Sequence, residues 1–473
     1  KLSLVDLRVH EAELHMHVRL EKVQDAAPAA EDRLTILLPG HAEPMTFEAP
    51  LPEDLLAKAK EYTDTAIITI CRYSCEGEDR KNDGTDHYFY LSDAEQAMVK
   101  AVTDNFSKVV VLLNVGAMID TSWFAYNDSI SSAIMLWQGG MEGGLAAADL
   151  LVGDANPSGK LVDTCARTFE DYPSSERYHE SADYVEYDED IFVGYRYFET
   201  VPGKKDCVVY PFGYGLSYTT FEYSDMTMVY DAAAQTYTIT VKVTNTGDVA
   251  GKETVQIYVN SPYTQYDIDN KVEKASASLV GFGKTDILKP GASETLTIVV
   301  DGDYVASYDA YGAGTYIMDA GDYLFTAATD AHNAVNNFLA AKGQTPETNA
   351  NMDAAGNAAL VCTWNNPTLD TTTYAISDTG AEVNNKLNLS DPNINENVDD
   401  IVYLTRNDWE GTMPKLEYTV EKDKEGNDVV VVTGPLVLND YLINGLQDSV
   451  YDPANYEAVE MPTLGADNGM KLI

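Results

Sequence analysis

The stretch that decides the fold runs from Thr65 to Arg80 and reads T-A-I-I-T-I-C-R-Y-S-C-E-G-E-D-R. Its first six residues are an apolar run that predicts a buried strand. Gly77 and the charged residues around it break this run, so the segment Ser74–Arg80 is expected in a loop at the carboxyl end of the strand. In open α/β sheets, ligands bind at this end of the strands.

The loop carries an unusual concentration of charge. Several charged side chains lie within a few positions of one another: Arg72, Glu76, Glu78, Asp79 and Arg80. A carboxyl group among other carboxylates has a raised pKa, whereas a nearby arginine lowers it. Such a loop can therefore hold a carboxyl group that is ready to donate a proton. The alternative is a solvated charged loop with no catalytic role, because runs of charge are usually solvated.

The segments around the loop alternate between predicted helices and predicted strands. Helices are predicted over Pro52–Tyr62, with Leu55, Leu56 and Ala59 on one face, over Asp93–Phe106 after the cap Ser92, and over Leu145–Leu151. Two further buried strands are predicted over Lys108–Asn114 and Ala133–Trp137. This alternation predicts a mostly parallel sheet that is covered on both faces, an α/β/α sandwich, over residues 1–221.

A glycine-rich segment, Gln138–Gly144, follows the third predicted strand. It has neither the G-x-G-x-x-G order nor a G-K-[ST] ending, so no nucleotide-binding pattern is present. Glycines of this kind also allow a helix to approach a strand closely. Binding of a nucleotide or another small molecule by the α/β part is kept as an alternative without a supporting motif.

The hydrophobic period changes to two from about residue 222. Apolar residues alternate with polar ones in three runs that begin at Tyr237, Val255 and Leu296. This pattern predicts an antiparallel β-sandwich over residues 222–330. Residues 331–473 are rich in Asn and Asp, with a predicted helix over 334–341 and predicted strands over 402–404 and 428–432, and they are interpreted as a long connector.

Composition excludes several classes of partner. The formal net charge of −45 argues against nucleic acid and against an anionic membrane. The five cysteines favour a reduced compartment, so a cytoplasmic location is expected, although a chain that opens with Lys1 says little about a leader. Cys71 and Cys75 have no companion pair, so neither a metal nor a cofactor is expected.

Several motifs together resemble glycoside hydrolase family 3, the β-glucosidase and β-xylosidase family. The S-x-E-G-x-D-R loop resembles its acid/base loop, and similar motifs follow it: Trp137–Gly144, Gly153–Leu161, Ile191–Phe198 and Tyr210–Phe221. Gly139 stands where the family often has proline. The β-sandwich resembles the family's fibronectin type III-like domain. Tyr403–Trp409 and Met461–Gly465 resemble the connector into a (β/α)8 barrel that comes last in members with reversed domain order.

The resemblance implies a retaining β-glycosidase that acts on terminal β-linked sugars and uses two carboxyl groups. It assigns the general acid/base to Glu76, loop orientation and substrate binding to Arg72 and Arg80, and a place on the leaving-group side to Glu78. The nucleophile would be an aspartate of the barrel. Asp408 lies in an N-D-W sequence, but it follows the connector pattern and has no βα repeats around it, so it is not interpreted as that nucleophile.

The expected partners are therefore β-glucosides or related oligosaccharides and a (β/α)8 barrel chain or segment, with a homo-oligomer possible. The chain is expected to be either a processed subunit or a fragment of a longer enzyme. A non-catalytic carbohydrate-binding or scaffolding chain is the alternative, with Glu76 as a loop charge only. The sequence of this chain does not distinguish glucose from xylose as the substrate sugar, because the barrel would be the part that binds that sugar.

Overall fold

The computed structural model describes residues 51–72, 89–175, 178, 189–377, 379–385, 404–409, 418–422 and 428–432. The chain divides into two units: residues 1–383 with 405–409, and residues 384–404 with 410–473. Within the described ranges, no helix is both long enough and apolar enough to span a membrane.

Three parallel strands form the sheet of the first domain. They are β1 (Thr65–Arg72), β2 (Lys108–Val115) and β3 (Ser132–Met135), in the order β1-β2-β3. Thr65 pairs with Lys108 at one end of β1 and Arg72 with Val115 at the other, while β3 starts opposite Val110. The carboxyl ends of the strands thus meet at one edge, and the predicted parallel α/β sheet is confirmed.

Three helices of this domain have the predicted positions within a few residues. They are α1 (Glu53–Tyr62), α2 (Asp93–Asn105) and α4 (Gly143–Val152), while a short turn, α3 (Ser122–Ala125), precedes β3. Leu56 and Ala59 of α1 pack against the core of the sheet, whereas Leu55 is 47% exposed. Leu55 precedes Ala59 by four residues and so shares a side of the helix with it, but its side chain stays outside the core.

The core of this domain lies between the sheet and the helix α2. It consists of buried aliphatic and aromatic side chains: Ile68, Ile70, Leu91, Val99, Val102, Phe106, Val109, Val111, Leu113, Val115, Ile119 and Phe124. The strands β1 and β2 supply half of these residues, and in β1 the buried Ile68 and Ile70 alternate with exposed side chains such as Ile67.

A short antiparallel pair and a short helix lead from this domain into the next. The pair is β4 (Cys165–Ala166) with β5 (Val208–Tyr210), and the helix is α5 (Tyr195–Thr200). Gly213 follows β5 with a φ of 84°, and its carbonyl accepts a hydrogen bond from Gln256 Nε2 at 3.0 Å. A Cβ at Gly213 would lie 2.0 Å from Gln256 Oε1, which explains why glycine is required in this turn.

The second domain is a β-sandwich of two antiparallel sheets. One sheet consists of β6 (Phe221–Asp231), β7 (Thr236–Asn245) and β10 (Ser293–Asp301), in the order β10-β7-β6. The other consists of β8 (Thr254–Asn260), β9 (Ser278–Lys284), β13 (Gly321–Ala328) and β14 (Val361–Asn366), in the order β14-β13-β8-β9. A helix α6 (Gln265–Asn270) and a hairpin of β11 (Ser307–Asp309) and β12 (Thr315–Ile317) lie between these strands in the chain. The alternation predicted for β7 is present, because its buried residues are Tyr237, Ile239, Val241 and Val243.

Strand β14 extends one sheet of the second domain beyond residue 330, where the β-sandwich is predicted to end. It pairs with β13 from Gly321↔Asn366 to Thr326↔Val361, beyond the helix α7 (Ala331–Ala341). Trp364 packs against Tyr230, Tyr237 and Tyr323. The strand was missed because its alternation is short and polar residues surround it, so long-range pairing rather than local pattern fixes it.

The second unit contains one described hairpin, β15 (Tyr418–Lys422) with β16 (Asp428–Val432). The predicted strand over 428–432 is therefore present. The predicted strand over 402–404 falls largely outside the described residues, and Leu404 is not in a strand.

Candidate active site

The candidate site lies at the carboxyl edge of the parallel sheet, where β1 ends and the charged loop begins. The backbone there is tied to the neighbouring strand, because Gly116 N donates to Arg72 O at 3.2 Å. Glu76, Glu78 and Arg80 lie outside the described residues, as does Cys75. The structure describes Arg72 before these residues and Phe89 and Tyr90 after them, with the groups that they contact.

Arg72 is buried and held by a carboxylate. Its side chain is 1% exposed, and it forms a bidentate ion pair with Glu95, with Nη1–Oε1 at 2.6 Å and Nη2–Oε2 at 2.7 Å. The guanidinium also donates to Cys71 O at 2.9 Å and to Tyr90 O at 3.1 Å. This geometry suits the predicted orienting role. Contact of Arg72, Glu78 or Arg80 with substrate, and proton transfer by Glu76, stay predictions.

Glu95 is the site residue that the sequence analysis missed. Ser92 Oγ accepts from Glu95 N at 3.2 Å and Glu95 Oε2 accepts from Ser92 N at 2.8 Å, which is a capping box at the start of α2. The S-D-A-E pattern at residues 92–95 is the signal for this cap. The ion pair has no such signal, because Arg72 lies far back in the chain on β1.

Phe89 and Tyr90 are held by hydrogen bonds of their own. Phe89 O accepts from Asp120 N at 2.9 Å. The hydroxyl of Tyr90 accepts from Phe169 N at 2.9 Å and donates to Glu170 Oε2 at 3.0 Å. Burial raises the pKa of Tyr90, so this hydroxyl is a donor at neutral pH.

A second group of titratable side chains lies where α5 and α7 meet. His332 Nδ1 and Glu199 Oε2 are 2.8 Å apart, and His332 Nε2 lies 2.9 Å from Asp353 Oδ1. Burial lowers the pKa of His332, but the bonds with the two carboxylates outweigh it and raise the pKa to about 9. Burial raises the pKa of Glu199, and His332 offsets part of that effect. This group is a structural link between the two domains of the first unit.

Residues 405–409 belong to the first unit and contact other parts of it. Thr405 Oγ1 donates to Glu273 Oε1 at 2.7 Å, and Arg406 N donates to Glu273 Oε2 at 2.8 Å. The ring of Trp409 lies 5.7 Å from that of Phe192. The N-D-W sequence thus belongs to a segment that is attached to both domains. Among the described residues, no three His, Cys, Asp or Glu side chains are arranged to hold a metal ion.

Comparison with known proteins identifies both domains. Residues 15–218 match the model of the glycosyl hydrolase family 3 C-terminal domain, and residues 253–331 match the fibronectin type III-like domain. The first match contains the charged loop, and the second lies within the β-sandwich.

The similar proteins are consistent with these matches. Beta-glucosidase A of Butyrivibrio fibrisolvens is 46% identical over 330 residues, which are 62% of this chain and 39% of that protein. A beta-glucosidase of Ruminococcus albus is 44% identical over 291 residues, 61% of this chain and 29% of that protein. Beta-glucosidase 3B of Thermotoga neapolitana, solved with α-D-glucose, superimposes with a TM-score of 0.57 at 30% identity, over 77% of this chain and 44% of that one.

The chain thus spans well under half the length of the relatives that it matches. Within that span, the two matched domains follow each other along the chain. The chain therefore carries a glycosyl hydrolase family 3 C-terminal domain, followed by a fibronectin type III-like domain.

Proposed function

We propose that the chain is the acid/base-bearing part of a retaining β-glucosidase whose catalytic site is completed by a (β/α)8 barrel. The observation that carries the proposal is the position of the S-C-E-G-E-D-R segment. It begins two residues after Arg72, at the carboxyl edge of a parallel sheet, inside the domain that matches the family. Ligands bind at this edge in open α/β sheets.

The proposed chemistry needs two carboxyl groups about 5–5.5 Å apart. In the first step, an aspartate of the barrel attacks the anomeric carbon, while Glu76 donates its proton to the glycosidic oxygen of the departing group. In the second step, Glu76 accepts a proton from the water that attacks the glycosyl-enzyme, and the sugar leaves with its β-configuration retained. Carboxyl groups supply both roles, so the reaction needs neither a metal nor a cofactor.

The remaining loop residues are proposed to support Glu76. Arg72 is held by Glu95 and orients the start of the loop. Arg80 orients its later part, and Glu78 faces the leaving group. Some of these side chains would also contact bound substrate.

The proposed substrates are β-glucosides. Similar proteins carry the name beta-glucosidase, and beta-glucosidase 3B of Thermotoga neapolitana was solved with α-D-glucose. The barrel would hold the sugar, and the loop would shape the leaving-group side of the site. A barrel chain or segment is thus the proposed partner.

The variant Glu76→Gln tests the assignment in the holoenzyme, meaning this chain together with the barrel that completes it. We expect the rate of cellobiose hydrolysis to fall by a factor on the order of 10²–10⁴, the usual contribution of general acid–base catalysis. The first step with 2,4-dinitrophenyl β-glucoside should suffer much less, because that leaving group needs no proton. Asp104→Asn, on the exposed face of α2, is the matched charge-removing control and should leave both rates unchanged.

The alternative of a carbohydrate-binding or scaffolding chain gives a different result. In that case, Glu76→Gln and unmodified holoenzyme would hydrolyse cellobiose equally well, and the acid/base assignment would be wrong. Reaction of the sugar with inversion, followed by NMR of the first-formed anomer, would contradict the retaining mechanism.

A further inference from the structure

A lysine and two aspartates form a closed group inside the β-sandwich domain. Lys274 lies between α6 and β9, Asp267 on α6, and Asp319 between β12 and β13. Their side chains are 3%, 0% and 1% exposed, respectively. We propose that Lys274 and Asp319 are joined by an isopeptide bond that forms within the folded chain, with Asp267 as the group that moves the protons. This cross-link goes beyond the proposed glycosidase function and does not depend on it.

The amine of Lys274 lies directly against both carboxyl groups. Its Nζ is 2.7 Å from Asp267 Oδ1, is in contact with Asp319 Oδ2, and also donates to Pro262 O at 3.1 Å. The nucleophilic nitrogen is therefore already beside the carboxyl group that it would attack. Groups held in this way react as if at very high concentration, with effective molarities on the order of 10⁵–10⁸ M in well-oriented cases.

Bonds to the surrounding chain keep the two aspartates in place. Asp267 Oδ2 accepts from Thr264 N at 2.6 Å, at the start of α6. Asp319 N donates to the hydroxyl of the buried Tyr323 at 2.8 Å, and Asp319 O accepts from Asn366 Nδ2 at 2.9 Å. Neither carboxyl group can therefore turn away from Lys274 without breaking bonds elsewhere.

Burial makes the fully charged form of this group costly. One ammonium facing two carboxylates leaves one negative charge uncompensated, and buried charges cost free energy even when they are paired. Burial raises the pKa of Asp319, although Lys274 offsets part of this effect, and Asp267 adds to it. Condensation replaces the ammonium and one carboxyl group with a neutral amide, which a water-free site tolerates better than two ions.

The bond forms by condensation of an amine with a carboxylic acid. Asp267 first accepts a proton from the ammonium of Lys274, which leaves a neutral, nucleophilic amine. Its lone pair attacks Cγ of the protonated Asp319, so a C–N bond forms. Asp267 then donates its proton to one hydroxyl of the tetrahedral intermediate, which leaves as water, and takes up the surplus proton of the nitrogen. One amide and one water replace one amine and one carboxylic acid, and no other reactant is needed.

A second buried lysine in the chain provides an internal control. Lys160 Nζ lies 3.0 Å from Glu253 Oε1, and these side chains are 12% and 6% exposed. Among the described residues, Glu253 is the one carboxylate paired with Lys160, so a second acid that could move the protons is absent from this pair. We therefore expect Lys160 to keep its free amine.

Intact-mass spectrometry of the denatured full chain tests the cross-link directly. We expect the unmodified chain, incubated overnight in its folded form at neutral pH, to be lighter than its sequence by the mass of one water molecule. The variants Lys274→Met and Asp319→Ala each lack one reacting group and should have the full mass of their sequences. The full sequence mass in the unmodified, folded chain would overturn the proposal and leave the group as an ion pair.

A tryptic digest locates the bond, because trypsin does not cleave after an acylated lysine. In the cross-linked chain, residues 272–284 should remain one peptide and be attached to the peptide of residues 285–342. Cleavage after Lys160 should be normal. A loss of water that persists in Lys274→Met, or a digest of the unmodified chain in which cleavage after Lys274 is complete, would show that the water is lost at another site and would overturn the assignment.

The role of Asp267 is tested by a variant that keeps the shape of its side chain. Asp267→Asn can still accept from Thr264 N but cannot carry protons between the reacting groups. We expect its cross-link to form more slowly by a factor on the order of 10²–10⁴, so that the chain is recovered largely with its full mass. Asp269→Asn, on the same helix and 2.9 Å from Gln265, is the matched control and should be cross-linked like the unmodified chain. Complete cross-linking of Asp267→Asn would contradict the proton-transfer role.

Discussion

The stability of the first unit depends on pH through His332, and the size of this dependence follows from the raised pKa of His332. The imidazole lies between Glu199 and Asp353, and its side chain is only 15% exposed. Its pKa is raised from 6.5 to about 9. A histidine with a raised pKa in the folded state stabilises that state fully below its unfolded pKa, and this contribution is lost as pH rises through the folded pKa.

The magnitude follows from that difference in pKa. It corresponds to about 3 kcal/mol in the free energy of unfolding, present at pH 6 and lost between about pH 6.5 and pH 9. Asp353 acts in the opposite direction, because the bonds with Asn336 and His332 outweigh its burial and lower its pKa. Its contribution is lost only as pH falls below about 4, outside the window of His332.

Urea unfolding followed by tryptophan fluorescence at several pH values between 6 and 10 measures this contribution. We expect the free energy of unfolding of the unmodified chain to fall by about 3 kcal/mol more than that of His332→Gln across the window. Asp104→Asn, which removes a charge from an exposed pair on α2, should follow the unmodified chain. Parallel pH profiles for the unmodified chain and His332→Gln would refute the calculation.

Two further predictions concern single buried atoms. Gly213→Ala should lower the free energy of unfolding, measured in urea, by about 3 kcal/mol. The φ of 84° disfavours a side chain, and Gln256 Oε1 occupies the space that a Cβ would need. A decrease of less than about 0.5 kcal/mol would contradict this geometry. Tyr237→Phe should raise the free energy of unfolding by up to about 1 kcal/mol, because the buried hydroxyl has no hydrogen-bond partner among the described residues. A loss of more than about 1 kcal/mol in that variant would show that the hydroxyl is bonded.

Much of the fold can be predicted from the sequence, because the pattern of apolar and polar residues that marks a strand is contained in the strand's own residues. The apolar runs of β1 and β2 and the strict alternation of β7 predict these strands without reference to their pairing partners. The capped start of α2 was predicted from Ser92 in the same way. Strand β14 was not, because only its pairing with β13 distinguishes it from the polar connector around it.

The candidate site likewise has features that the sequence predicts and features that only the folded structure shows. The loop motif is formed by residues that are neighbours in the chain, and the resemblance of this motif to the family's assigns the acid/base to Glu76. The buried ion pair beside it joins Arg72 at the end of a strand to Glu95 in the first turn of the next helix. No local pattern encodes that pairing, because it exists only once the helix packs beside the strand. The sequence therefore predicts the proposed reactive group but not this ion pair.

The central claim is that Glu76 serves as the acid/base of a retaining β-glucosidase, and its most direct test is chemical rescue of Glu76→Ala by azide in the holoenzyme. Without a base at this position, water cannot be activated in the second step, whereas azide needs no deprotonation and can enter the space that the side chain leaves. With 2,4-dinitrophenyl β-glucoside as substrate, we predict that azide accelerates turnover and that the product is β-glucosyl azide, formed with retention. No acceleration by azide, or an α-glucosyl azide product, would contradict the assignment.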